Sequence, residues 1–213
     1  MHRRTLILIC ALLGVGIILI GYSIYENFYR EKKYLNASYE ELKKEYKLVN
    51  DSEAYEFINS MLNGSDTIIN DIREHIKINC FTSEHGKEIR EFLELQNDSI
   101  LSKNDKEFMK SQFENKVYLW DQDRLRNVRC LTPKDLNEIE KRTDRDYWEL
   151  FEELYGKYGR HKFSKPIFNE DKTKLIIEHE GSSGWEMGSG ELYIFSKKNE
   201  KWYIDAKSTI WAR

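Results

Sequence analysis

From Thr5 to Tyr25 the chain carries no charged side chain, and Leu6 to Ile20 is almost wholly aliphatic. No other feature constrains the fold as strongly. As a helix this segment would be about 31 Å long, matching the hydrocarbon core of a bilayer. A helix packed on a water-exposed domain shows a polar face, and this one has none. Residues 1–25 therefore read as a membrane anchor, with residues 5–25 as the span. The rival reading is a cleaved signal peptide, with Arg3 and Arg4 as its basic start and Gly21-Tyr22-Ser23 as its cleavage region. The aliphatic run is long for such a peptide and Ala-x-Ala is missing, which favours the anchor. Cys10 follows Ile9 inside the run, which excludes a lipoprotein signal there. Arg3 and Arg4 place the N-terminus in the cytoplasm and the C-terminal domain outside it, at the cell membrane.

Of 34 basic and 37 acidic side chains, only Arg3 and Arg4 precede Glu26, so the remainder is net acidic with both signs interleaved. Without a basic stripe, no nucleic-acid partner is expected. A 13% aromatic content supplies enough apolar area to fold. The expected layout is a stalk helix over 26–50 and one α+β domain over 51–213, helical over 51–160 and sheet over 161–213.

Phe28, Leu35, Leu42 and Val49 recur every seven residues, with Tyr39 and Tyr46 between them. This seam predicts a stalk that self-associates or packs on its own domain. Helices are expected over 52–62, 87–96, 103–114 and 145–157, with another starting at Thr132-Pro133. Residues 66–76 suit a helix, while Ile76, Ile78 and Cys80 alternate as in a strand. Beyond Arg160 the apolar period becomes two. Strands are expected over 163–168, 174–180, 191–195 and 201–211, as a four-stranded antiparallel meander with helices on one face.

Ser164-Lys165-Pro166-Ile167-Phe168, then Gly188-x-Gly190 running into Leu192-Tyr193-Ile194, then Lys198, Trp202 and Trp211, form a pattern over about 50 residues. It resembles a signature of uncharacterised bacterial envelope proteins. Helices followed by a curved meander also resemble the cystatin-like and nuclear transport factor-like folds. The envelope pattern implies cysteines in the glycine-rich loop and a glycine in the last turn. Trp185, Met187 and Glu200 stand there instead, so no loop disulfide carries over. The resemblance implies a fold and no activity.

Gly181 to Gly190 lacks the lysine of a phosphate loop and the G-x-S-x-G order of a nucleophile elbow. It reads as a long hairpin turn, or as a binding loop with Trp185 as anchor and Ser183 and Glu186 beside it. Glu178 and Glu180 would share a strand face with carboxylates roughly 7 Å apart, and His179 would face the other way. His75, His85 and His161 are isolated. Asp121 and Asp123 open like a calcium loop, but Arg126 stands where an oxygen ligand is needed. Neither metal nor cofactor is expected. Cys80 and Cys130 are an even pair for a disulfide, or two separate buried thiols. The favoured function is non-catalytic binding of a protein or small molecule. The alternative is an envelope hydrolase using Glu178, Glu180 or His161.

Overall fold

The computed structural model describes residues 2–63, 76–83, 86–114, 116–157 and 159–213, with side chains from Leu19 onward. Helices α1 (His2–Leu35), α2 (Tyr39–Glu45) and α3 (Ser52–Asn63) come first, followed by strand β1 (Ile76–Asn79). Next come α4 (Lys87–Leu95), α5 (Lys103–Ser111), a 3-10 turn (Gln122–Arg124), β2 (Val128–Leu131), α6 (Pro133–Glu140) and α7 (Tyr147–Tyr155). The chain ends in β3 (Arg160–Phe163), β4 (Ile167–Phe168), β5 (Lys174–Ser182), β6 (Gly188–Lys198) and β7 (Lys201–Ala212).

The fold is α+β, but its sheet differs from the expected meander. Among the described residues seven strands form one mixed sheet in the order β2-β1-β3-β5-β6-β7, with β4 also on β5. β1 pairs in parallel with β2, Ile78 opposite Cys130, and in parallel with β3, Ile78 opposite His161. Only the β3 to β7 part is antiparallel. β1 and β2 are four residues each, too short for periodicity to distinguish from helix. The chain between them contains α4 and α5, and the chain from β2 to β3 contains α6 and α7. Such excursions are what parallel neighbours require.

The expected strand over 163–168 is two strands. Between them the Ser164 N–H still donates to the Glu178 carbonyl at 3.0 Å, but the Glu178 N–H turns to Ser164 Oγ at 2.9 Å, and Pro166 has no N–H to donate. The supposed glycine-rich loop is mostly strand. β5 and β6 pair as far as Ser182 opposite Gly188, leaving Ser183 to Met187 as the tip.

Helices cover both faces of the sheet, not one. Leu175, Ile177, Tyr193 and Phe195 point into a core with Leu42, Val49, Phe57, Ile58 and Trp120. Ile176, Leu192 and Ile194 point the opposite way, against Ile89, Phe92 and Leu93 of α4 and Met109 of α5. Burial on both sides explains the unbroken apolar runs Leu175-Ile176-Ile177 and Leu192 to Phe195. A third cluster joins Leu131 to Ile139, Leu150 and Phe151 of α6 and α7.

The predicted stalk is broken. α1 ends at Leu35, and Ser38 starts α2 with a capping box to Glu41. Leu42 and Val49 are buried in the domain core while Phe28 is 65% exposed, so the four seam residues do not act as one surface. The anchor reading is also corrected. Among the described residues no helix is long and apolar enough to cross a membrane. Beyond Tyr25, α1 continues through Glu26, Arg30, Glu31, Lys32 and Lys33, with Arg30 paired to Glu26 at 3.6 Å. The side chains of residues 5–18, the rest of the proposed span, lie outside the described residues. The cell-membrane location and the cytoplasmic N-terminus inferred from that span go with it.

Candidate binding cleft

Asp146 starts α7. Its Oδ1 accepts the amide hydrogens of Trp148 and Glu149 at 2.8 and 3.2 Å, satisfying donors the first turn leaves open. Its Oδ2 accepts the indole N–H of Trp185 at 2.8 Å. One carboxylate thus caps the helix and holds the hairpin tip against it. The Trp185 hydrogen bond first, and the helix amides second, keep the Asp146 carboxyl below the usual aspartate range. Trp185 also lies 6.0 Å from Tyr147, ring centre to ring centre. An Asp146→Ala protein should lose both roles, showing red-shifted tryptophan emission and a lower thermal midpoint.

Between α7, the hairpin tip and the end of β7 lies a cleft of about 360 Å³. Tyr147, Trp148, Trp185 and Trp211 supply its aromatic surface, and Arg160, Arg213 and Glu140 its charge. That volume is within the usual range for small-molecule sites. The wall at Trp211 depends on glycine. Gly190 is opposite Trp211 in the ladder, and a Cβ there would sit 2.2 Å from the indole Nε1. The ring occupies the space a side chain would need, so Gly190→Val should displace Trp211, visible as altered near-ultraviolet circular dichroism. Arg160 is placed by β3, where it pairs with Ser182, and its Nη1 reaches Tyr147 Oη at a long 3.5 Å.

Of the residues expected to bind, Trp185 lines the cleft. Ser183 instead closes the tip, its N–H donating to the Met187 carbonyl at 2.9 Å, and Glu186 is exposed. Tyr147 and Trp148, in the first turn of α7, are only half-buried. Trp148, Trp211 and Arg160 come from distant stretches, so no local motif marks them. The usable signal was an α7 with more aromatic residues than one buried face absorbs.

Glu178 and Glu180 share one face of β5, near enough for each carboxyl to feel the other. Burial first, then Glu180, pushes the Glu178 carboxyl up to about 7, with Lys162 opposing and Glu88 adding to the rise. Unfolded, the group titrates near 4.5, so its contribution to stability is full below 4.5 and lost as pH rises through 7. Glu178→Gln should therefore be more stable than the parent at pH 8, by about 1 kcal/mol after allowing for solvent screening. The difference should vanish by pH 4.5 in denaturant titrations.

On the opposite face His161 Nδ1 and His179 Nε2 are 3.0 Å apart, with the rings stacked. His179 also stacks on Phe163 at 4.8 Å, and among the described residues its Nδ1 has no hydrogen-bond partner. The carboxylates and this pair thus occupy different faces and do not form one site. Asp121 caps the 3-10 turn, accepting the Asp123 N–H at 3.2 Å, and no cluster suited to a metal occurs among the described residues. Cys80 and Cys130 are buried free thiols, and burial raises both above the ordinary thiol range. His75 and His85 lie outside the described residues.

No family model, curated protein or solved structure matches the chain. The cleft's own chemistry therefore carries the functional reading.

Proposed function

We propose that this protein is a non-catalytic binding module whose ligand sits in the cleft between α7 and the β5–β6 hairpin. The observation that carries this reading is the convergence of Trp148, Trp185 and Trp211, from three separate elements, on one cleft. Half-exposed indoles leave apolar area in water that a core would have removed, and a ligand that covers them recovers it. Trp185 is 66% exposed, hydrogen-bonded to Asp146 and packed beside the Tyr147 ring.

Hydrolysis needs an acid or base facing a substrate-sized space. Glu178 and Glu180 do not line the aromatic cleft, and His161 and His179 belong to the other face of the sheet. This favours binding over the hydrolase alternative.

The test is thermal unfolding of the full chain against sugars, nucleotides and short peptides. A ligand at 100 times its Kd adds about 2.7 kcal/mol. That gain should disappear in Trp148→Ala and Trp211→Ala and persist in Phe108→Ala, a half-exposed aromatic on α5 outside the cleft. Stabilisation that survives both tryptophan changes would remove the ligand from this cleft.

A further inference from the structure

We infer that the ligand of this cleft is an acidic saccharide: a hydroxylated ring bearing a carboxylate. The inference rests on the binding-module reading and specifies its ligand.

Three properties of the lining converge on that chemistry. The first is charge. Arg160 and Arg213 both line a cleft only about 360 Å³ in volume, on a protein whose net charge is −3. The Arg160 guanidinium has a long contact to a neutral phenol, Tyr147 Oη at 3.5 Å. Among the described residues neither guanidinium has a side-chain carboxylate within ion-pair distance. Two guanidiniums lining one small cleft favour an anion there, which accepts their forked hydrogen bonds. The attraction is local, because the overall charge would repel an anion.

The second is the aromatic surface. Tyr147, Trp148, Trp185 and Trp211 present flat apolar area at the same place. Rings pack on such faces with little conformational loss, which a flexible aliphatic acid would not match.

The third is Glu140, an exposed carboxylate on the same rim, together with Ser182. A purely aromatic acid would gain nothing from Glu140 and would be repelled by it. A ring carrying hydroxyls donates hydrogen bonds to it, so the acceptor becomes useful. Cation, flat face and acceptor together describe a uronic-acid type of sugar.

The experiment is isothermal calorimetry of the full chain at low and moderate salt with digalacturonate, neutral digalactose, benzoate and inorganic phosphate. Digalacturonate should bind about tenfold more tightly than digalactose, the gap narrowing as salt rises. Arg160→Gln should close most of that gap by lowering digalacturonate affinity far more than digalactose affinity, with Arg213→Gln as an independent second variant. Equal affinity for the two sugars, or an acid preference untouched by both arginine changes, overturns the inference and leaves the cleft reading intact. Benzoate or phosphate binding as tightly as digalacturonate also overturns it, because the hydroxylated ring then contributes nothing. Heat from none of the four probes overturns the inference, while a ligand found in the wider thermal panel and lost in Trp148→Ala would still support the cleft.

Discussion

Replacing Gly159 by alanine should lower the unfolding free energy by about 3 kcal/mol or more. Gly159 has φ +66°, a conformation that a side chain resists, and it sits immediately before β3. A Cβ there would lie 2.1 Å from the carbonyl oxygen of Ser182 and 2.9 Å from the Cα of Ser183. Both are backbone atoms of the neighbouring strand end, so no rotamer change relieves the overlap. Either Gly159 or the hairpin must move. Because Arg160 follows directly and Ser182 lines the cleft, the same change should weaken ligand binding in whatever fraction remains folded. Gly184→Ala is the control. Its Cβ would meet the terminal methyl of Met187 at 3.4 Å, and that flexible end can rotate away. Its effect should stay within about 0.5 kcal/mol. Urea denaturation of the two variants separates backbone overlap from a general intolerance of the hairpin.

Acidification provides the second large effect. His179 is buried between Phe163 and His161, and burial first, then His161 and Lys207, lowers its pKa from an ordinary 6.5 to about 3. Between those values the unfolded chain binds a proton that the folded chain refuses. The contribution is complete above 6.5 and is lost progressively as pH falls toward 3. Over the whole interval this amounts to about 3 to 5 kcal/mol, a sizeable part of a domain's stability. Glu178, on the other face, has the opposite slope between 4.5 and 7. The two offset each other from 4.5 to 6.5, so the net loss should steepen below pH 4.5. His179→Phe, which keeps the stack on Phe163 and removes the titrating nitrogens, should flatten that acid limb. If the limb is as steep in the variant as in the parent, other groups govern the acid transition.

Much of the secondary structure was legible from local chemistry. Ser102 with Asp105 and Thr132-Pro133 with Asp135 announce α5 and α6, and both capping boxes are present. The helix expected over 145–157 became α7. The period-two stretches after Arg160 became β5, β6 and β7, because alternation between two faces is written in neighbouring residues. Caps and alternation depend on atoms a few residues apart, so a linear string records them.

What the string could not record is which segments meet. Ile76 to Asn79 and Val128 to Leu131 became sheet only because their hydrogen bonds are completed by each other and by β3, from far along the chain. Those pairings turn a four-stranded meander into a mixed seven-stranded sheet and bring α6 and α7 over the face that carries Arg160. Phe28, Leu35, Leu42 and Val49 keep an unbroken heptad spacing in the sequence. The Asn36-Ala37-Ser38 break nevertheless turns Leu42 and Val49 into the core, where burial outweighs helix continuity. Composition and local periodicity therefore determined that the chain would form helices and an apolar sheet. Tertiary packing decided the sheet's order and assembled the cleft, because Trp148, Arg160, Trp185 and Trp211 are neighbours only after β5, β6 and β7 have paired and α7 has docked.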